Sequence, residues 1–151
     1  MKKSNWKDIA EPVGIVAIVL SLLVVAYELR QSTALATSQA VFDINTATDE
    51  GYRDRTKNPE LDELIERGHE KPASLSDRER SQFYKWMRAE MNVLEATWIY
   101  QDRGIIPQKD FDGYKNAICS RVITPGGRQY WEREAQYFAS GMRNSVDEWC
   151  Y

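Results

Sequence analysis

Three polar side chains on one long predicted helix are the first candidates for binding chemistry. Arg88, Asn92 and Glu95 stand at positions i, i+4 and i+7, which places them along one stripe of the helix. The stripe lies about 100° around the helix from its apolar face, so we expect it to be half-buried. It predicts either a buried polar network that fixes how neighbouring helices dock or a contact for a small polar ligand. The pattern favours the network over the ligand, and both over catalysis.

Other polar residues give weaker signals. His69 follows Gly68 in a charged segment without a neighbouring nucleophile, so we predict a solvated loop residue. The sequence Pro125-Gly126-Gly127-Arg128 opens a helix, where free N–H groups and the arginine could hold an anion, but proline and glycine at a helix start more often set the turn. One histidine and two cysteines are too few and too scattered for a zinc site. We therefore expect no metal, no cofactor and no enzymatic activity.

The two cysteines, Cys119 and Cys150, leave two alternatives open. In an oxidising compartment they could form a disulfide, which the chain-entropy model values at roughly 3 to 4 kcal/mol. Otherwise they are two free, buried thiols. The choice depends on which side of a membrane the residues lie.

Residues 12–29 are apolar enough to cross a membrane. No charged residue occurs in the segment 13–27, and Ile9 and Ala10 extend it toward the roughly 20 residues that a membrane helix needs. A cleaved signal peptide is the alternative, because residues 24–26 resemble a cleavage site. Acidic residues ahead of the apolar run favour an uncleaved anchor.

The charges around this segment predict its orientation. Lys2, Lys3 and Lys7 precede it, whereas Arg30 is the only basic residue between it and Arg53. By the positive-inside rule, the N-terminus lies in the cytoplasm and the rest of the chain is extracytoplasmic. The expected location is the inner (cytoplasmic) membrane, with a single pass and the domain in the periplasm of a Gram-negative cell.

Small residues form a stripe along the membrane segment. Its members are Ala10, Gly14, Ala17 and Ser21, and Ser32, Ala36 and Ala40 extend it at four-residue spacing. Such a stripe lets helix backbones approach closely in lipid, although small residues are also common in membrane helices that do not pair. We predict self-association through this face.

The remaining residues have the composition of one globular domain. The protein has 28% charged and 11% aromatic residues, and 16 Lys and Arg stand against 20 Asp and Glu beyond residue 30. This acidic balance without a basic block argues against a nucleic-acid partner. We divide the chain into a membrane anchor helix, residues 1–30, and a soluble helical domain, residues 31–151.

Helical patterns occur throughout that domain. The first helix continues out of the membrane to about residue 56, where Pro59 follows. Ser76 and Glu79 form a capping box, and Phe83 and Met87 begin the apolar face of a long helix behind it. No alternating strand pattern is present. The sequence predicts an all-α fold with one N-terminal transmembrane helix that continues into a soluble helical bundle of about five helices.

Several stretches resemble a widespread family of small, single-pass bacterial membrane proteins. They are YELRQSTALA at the membrane exit, LSDRERSQFYKWMR, NVLEATWIYQDRGII and TPGGRQYW. Glu28 and Ser32 depart from the glutamine and asparagine common in the family's QIRQNT-like exit motif. The resemblance implies an anchor and a helical domain, and no activity.

These observations predict a non-enzymatic, membrane-anchored helical module. Its partners are the lipid bilayer and either further copies of itself, as a homo-oligomer, or a larger membrane protein complex of which it is an accessory subunit. The alternative is an extracytoplasmic sensor or binding domain for a small ligand beside Arg88 and Glu95.

Overall fold

The structure is a computed structural model that describes the backbone of residues 6–151 and the side chains of residues 11–151. Within that range the chain is helical and contains no strand, which confirms the predicted all-α fold with about five helices beyond the first. The helices are α1 (Trp6–Lys57), α2 (Pro59–Glu70), α3 (Asp77–Asp102), α4 (Gln108–Val122), α5 (Pro125–Glu134) and α6 (Ser140–Cys150). Short 3-10 turns follow α2 and α5, at Pro72–Ser74 and Ala135–Tyr137.

The chain divides into two compact units between Ser38 and Gln39, both of which lie within α1. In the first unit, the apolar side chains of α1 are exposed from Val13 to Leu29. By length and composition, α1 is able to cross a membrane. The second unit contains the remainder of α1 and the helices α2 to α6.

The transition from α1 to α2 is set by two adjacent residues. Pro59 cannot donate the backbone hydrogen bond that would continue α1, and it occupies the first position of α2. The side chain of Asn58 accepts a hydrogen bond from the backbone N–H of Leu61 and thereby caps α2. The sequence break expected at this proline is therefore a short, capped junction.

The helix α3 is the axis of the second unit. Its capping box is confirmed, because Ser76 accepts from the backbone of Glu79 while the Glu79 carboxylate accepts from the backbone of Ser76. The apolar face predicted from the sequence is buried, with Phe83, Met87 and Met91 fully inside the core. The helices α2, α4 and α5 pack against α3.

Two glycines permit α2 and α5 to meet at backbone distance. A Cβ atom at position 126 would lie 1.8 Å from the carbonyl oxygen of Gly68, and a Cβ at position 68 would lie 2.3 Å from the ring of Phe83. A side chain at position 126 would require a shift of the backbone, and one at position 68 would displace the ring of Phe83. The glycines after Pro125 therefore serve close packing as well as the turn.

The C-terminal helix is fastened to α4. A disulfide joins Cys119 of α4 to Cys150 of α6, with Cα atoms 5.1 Å apart. The hydroxyl of Tyr151 donates to the backbone carbonyl of Val122 at 3.0 Å. On its other side, α6 reaches α5 through the Trp131 indole N–H, which donates to the carboxylate of Asp147.

Candidate functional site

The two ends of the predicted polar stripe on α3 contact the segment that leads into α6. The Arg88 guanidinium lies 4.5 Å above the ring of Phe138. The Glu95 carboxylate accepts a hydrogen bond of 2.6 Å from the backbone N–H of Ala139. Asn92, between them in sequence, is exposed and does not take part in these contacts. The stripe is thus divided into two docking residues and one surface residue.

Glu95 supplies α6 with a cap that its own sequence lacks. Ala139 is the N-cap residue of α6 and has no side-chain oxygen that could accept from the first turn. The negative carboxylate at this end of α6 also interacts favourably with the positive end of the helix dipole. Glu95 therefore holds α6 in register with α3.

Arg88 also faces a cleft between the first half of α3 and α5. The cleft has a volume of about 500 Å³. Four cationic side chains line it, Arg80, Lys85, Arg88 and Arg133. Two acidic side chains, Asp77 and Glu134, also line it, so the positive charges exceed the negative ones by two. The protein as a whole has a net charge of −3, so this local excess is opposite in sign to the rest of the molecule.

The floor of the cleft contains buried donors without acceptors. The Tyr130 side chain is 1% exposed, and within the described part of the chain its hydroxyl proton has no acceptor, although the Arg88 guanidinium lies close enough to interact with the hydroxyl oxygen. The pKa of Tyr130 is raised to about 12, because the effect of burial exceeds the opposite effect of the Arg88 guanidinium. The hydroxyl therefore keeps its proton. Arg80 also lines the cleft, and within the described part of the chain its buried Nε has no hydrogen-bond acceptor.

Sequence reasoning found Arg88 but missed the rest of the cleft. A four-residue spacing on α3 relates Arg80, Tyr84 and Arg88, and this spacing indicates that they lie on one face of the helix. The contribution of Tyr130 and Arg133 depends on α5 lying across that face. No local pattern in the sequence specifies which helices pair, so the cleft could not be predicted.

His69 is not a solvated loop residue, and that prediction is wrong. It lies in the last turn of α2, because the helix continues past Gly68 to Glu70. Its ring packs edge-on against Phe83 and Trp86, with centroid distances of 5.2 and 5.5 Å. The close contact of α2 with α5 draws this turn into the core.

One hydrogen bond determines the tautomer of His69. Its Nδ1 lies 2.9 Å from the hydroxyl oxygen of Thr124, and that hydroxyl already donates to the carbonyl of Arg121. With the hydroxyl proton directed at that carbonyl, the oxygen accepts from an Nδ1–H group, which is the tautomer that we assign. Burial, as the largest effect, and the positive charges of Arg121 and Arg55 together lower the pKa of His69 to about 4.

The start of α5 has no room for an anion. The Gly68 carbonyl occupies the space beside Gly126, and the N–H of Gly127 donates to the Thr124 hydroxyl. Arg128 instead lies 5.0 Å above the ring of Tyr151. Of the two alternatives for this motif, the structure has the turn and the close packing.

The small-residue stripe of α1 is only in part available to another helix. Gly14, Ala17 and Ser21 are exposed, whereas the side chain of Ala10 lies outside the described residues. The Ser21 hydroxyl donates to the carbonyl of Ala17 in its own helix, so Ser21 contributes smallness rather than a hydrogen bond. Ala40 is 4% exposed and belongs to the interior of the second unit. Extending the stripe to Ala40 was therefore wrong.

Comparison with known proteins adds no family to this description. No protein-family model matches the chain, and neither the curated proteins nor the solved structures contain a significant match. The resemblance to single-pass bacterial membrane proteins stays a prediction.

Proposed function

We propose that the protein is a non-enzymatic membrane-anchored module that self-associates, or docks onto a larger membrane assembly, through α1. The observation that carries the proposal is the exposure of every large apolar side chain in the segment 13–29 of α1. A bilayer would cover such a surface. Within this segment, Gly14, Ala17 and Ser21 are small enough for the backbone of a second helix to approach closely.

We further propose an inner-membrane location with the N-terminus in the cytoplasm and the helical domain outside it. The three lysines ahead of the span support this orientation. The Cys119–Cys150 disulfide supports it as well, because disulfides persist in extracytoplasmic compartments and are rare in the cytosol.

Particle mass tests the association. We expect native mass spectrometry of the full chain in mild detergent to give a multiple of 17.5 kDa, or a larger mass that includes another protein. Replacing Gly14 and Ala17 with leucine would add bulk where the second helix approaches and should release monomers. Replacing Ala26 and Ala34 with leucine is the matched control, since those residues gain similar bulk, are exposed and lie on the side of α1 away from the small-residue stripe.

A monomer in the unaltered protein would contradict the proposal. Dispersal by the control pair to the same extent as by the Gly14 and Ala17 pair would also contradict it, because the effect would then be one of added bulk on any face.

The second candidate is an extracytoplasmic binding domain for a small ligand, and the cleft beside Arg88 favours it. Glu95 does not belong to that candidate site, because its carboxylate is engaged by the backbone of Ala139. Binding to the cleft does not require self-association.

A further inference from the structure

We propose that the cleft between α3 and α5 binds a small molecule through a phosphate- or sulfate-type oxyanion, held by Tyr130, Arg88, Arg80 and Lys85. The inference rests on the binding-domain candidate and is independent of the association of α1. It names both the residues of the site and the chemical class of the ligand.

Charge is the first argument. Arg133 is neutralised locally, because its Nε lies 3.1 Å from the carboxylate of Glu134 and its guanidinium lies over the ring of Tyr84. Arg88 lies over the rings of Tyr137 and Phe138 and keeps N–H donors that rings do not satisfy. Its charge, with those of Arg80 and Lys85, would attract an anion into the cleft.

The unpaired donors are the second argument, and they are independent of net charge. Leaving a buried hydroxyl without an acceptor is costly, and native proteins rarely do so without a reason. Arg88, the charged group with the largest electrostatic effect on Tyr130, has only donors and cannot accept the tyrosine proton. Tyr130 and the Nε of Arg80 both need an acceptor, and both residues line the cleft. An oxyanion provides several acceptor oxygens.

Size refines the ligand class. A volume of about 500 Å³ is within the range of small-molecule sites and much larger than one phosphate ion requires. The ring of Tyr84, half-buried in the wall, has the Arg133 guanidinium over it and adds apolar surface to the lining of the cleft. The ligand is therefore a phosphorylated or sulfated small molecule, or the headgroup of an anionic phospholipid, which presents the same phosphate chemistry.

Tyr130→Phe is the decisive variant, because it removes the hydroxyl whose proton lacks an acceptor, together with the interaction of its oxygen with Arg88, and leaves the ring in place. If Tyr130 had only a structural role, replacing it with phenylalanine would make the domain less stable. Here we expect the melting temperature without ligand to stay equal or rise, while affinity for phosphate falls about tenfold, as for the loss of a hydrogen bond to a charged group. Tyr114→Phe, on α4 and outside the cleft, is the control and should change neither.

Lys85→Gln tests the charge with little risk to the fold, since Lys85 is exposed. It should weaken phosphate binding severalfold and make binding less sensitive to salt. The control is Lys109→Gln, which removes an exposed charge from α4 and should leave binding unchanged.

The probes are inorganic phosphate and sulfate, added at millimolar concentrations to the full chain. The protein is held in nanodiscs made of an uncharged glycolipid, which contains no phosphate. We expect a saturable rise in melting temperature with the unaltered protein. A second set of nanodiscs contains phosphatidylglycerol. If that lipid abolishes the response to added phosphate, the headgroup already occupies the cleft; if the response persists, the ligand is a soluble molecule.

Either of those outcomes supports an oxyanion site. The proposal is overturned if phosphate, sulfate and phosphatidylglycerol all leave the unaltered protein unchanged, or if Tyr130→Phe and Lys85→Gln respond as the unaltered protein does. Particle mass recorded on the same samples separates this result from the fate of the association proposal.

Discussion

The carboxylate of Glu95 on α3 accepts a hydrogen bond from the backbone N–H of Ala139, at a distance of 2.6 Å, and caps α6 from outside. Replacing Glu95 with alanine would leave the start of α6 uncapped. We expect a loss of about 1 to 2 kcal/mol in the free energy of unfolding, measured by urea titration of the full chain. Asn92→Ala is the control from the same stripe and should cost little. Equal losses for the two variants would contradict the capping role.

The contact between Gly126 and the Gly68 carbonyl predicts a large steric effect. Gly126→Ala would place a methyl group 1.8 Å from a backbone oxygen, which has no freedom to rotate away. We expect destabilisation of about 3 kcal/mol or more, seen as a lower urea midpoint. Gly113→Ala is the control, because a Cβ on this exposed residue of α4 meets nothing within 4 Å. It should stabilise the helix by up to about 1 kcal/mol.

The burial of His69 predicts a dependence of stability on pH. Its pKa is about 4 in the folded protein and about 6.5 when unfolded, so between these values the unfolded chain binds more protons. Stability should therefore be greatest above pH 6.5 and decrease as the pH falls toward 4. After allowance for the partial exposure of the ring, we expect a loss of about 2 kcal/mol.

The variant His69→Asn tests this assignment, because the asparagine amide can donate to Thr124 but does not titrate. Its stability should be nearly constant between pH 6.5 and 4.5. The lower limit avoids Glu79, whose pKa is lowered to about 2 by Arg67 and Ser76 and whose own contribution decreases below pH 4.5. An unchanged slope in the variant would show that another group is responsible.

The disulfide predicts both stability and compartment. In membranes prepared without a reductant, Cys119 and Cys150 should react with a maleimide only after reduction. Cys150→Ser should lower the free energy of unfolding by roughly 3 to 4 kcal/mol in the chain-entropy model. Labelling of unreduced membranes would instead indicate thiols and the opposite topology.

The sequence was sufficient where structure is set by neighbours along the chain. The capping box of Ser76 and Glu79 and the apolar face from Phe83 depend on spacings of three and four residues within α3. Those features predicted the helix correctly. The all-α class followed from the same local patterns.

The sequence was insufficient where distant elements meet. His69 was assigned to solvent because nothing local shows that α5 covers the end of α2. Tyr130 gave no signal at all, since a tyrosine on an amphipathic helix is ordinary until its hydroxyl is found buried without an acceptor. Ala40 matched a four-residue repeat, but its side chain is buried within the second unit and is not available to another helix.

The contact of α2 with α5 has an evolutionary consequence. Position 68 must stay small because of the ring of Phe83, and position 126 must stay small because of the backbone carbonyl of residue 68, which is present whatever residue stands there. In diverged homologues we expect glycine at both positions, each kept by its own contact. The pair would then serve as a signature of common descent even where the surface and the cleft have diverged.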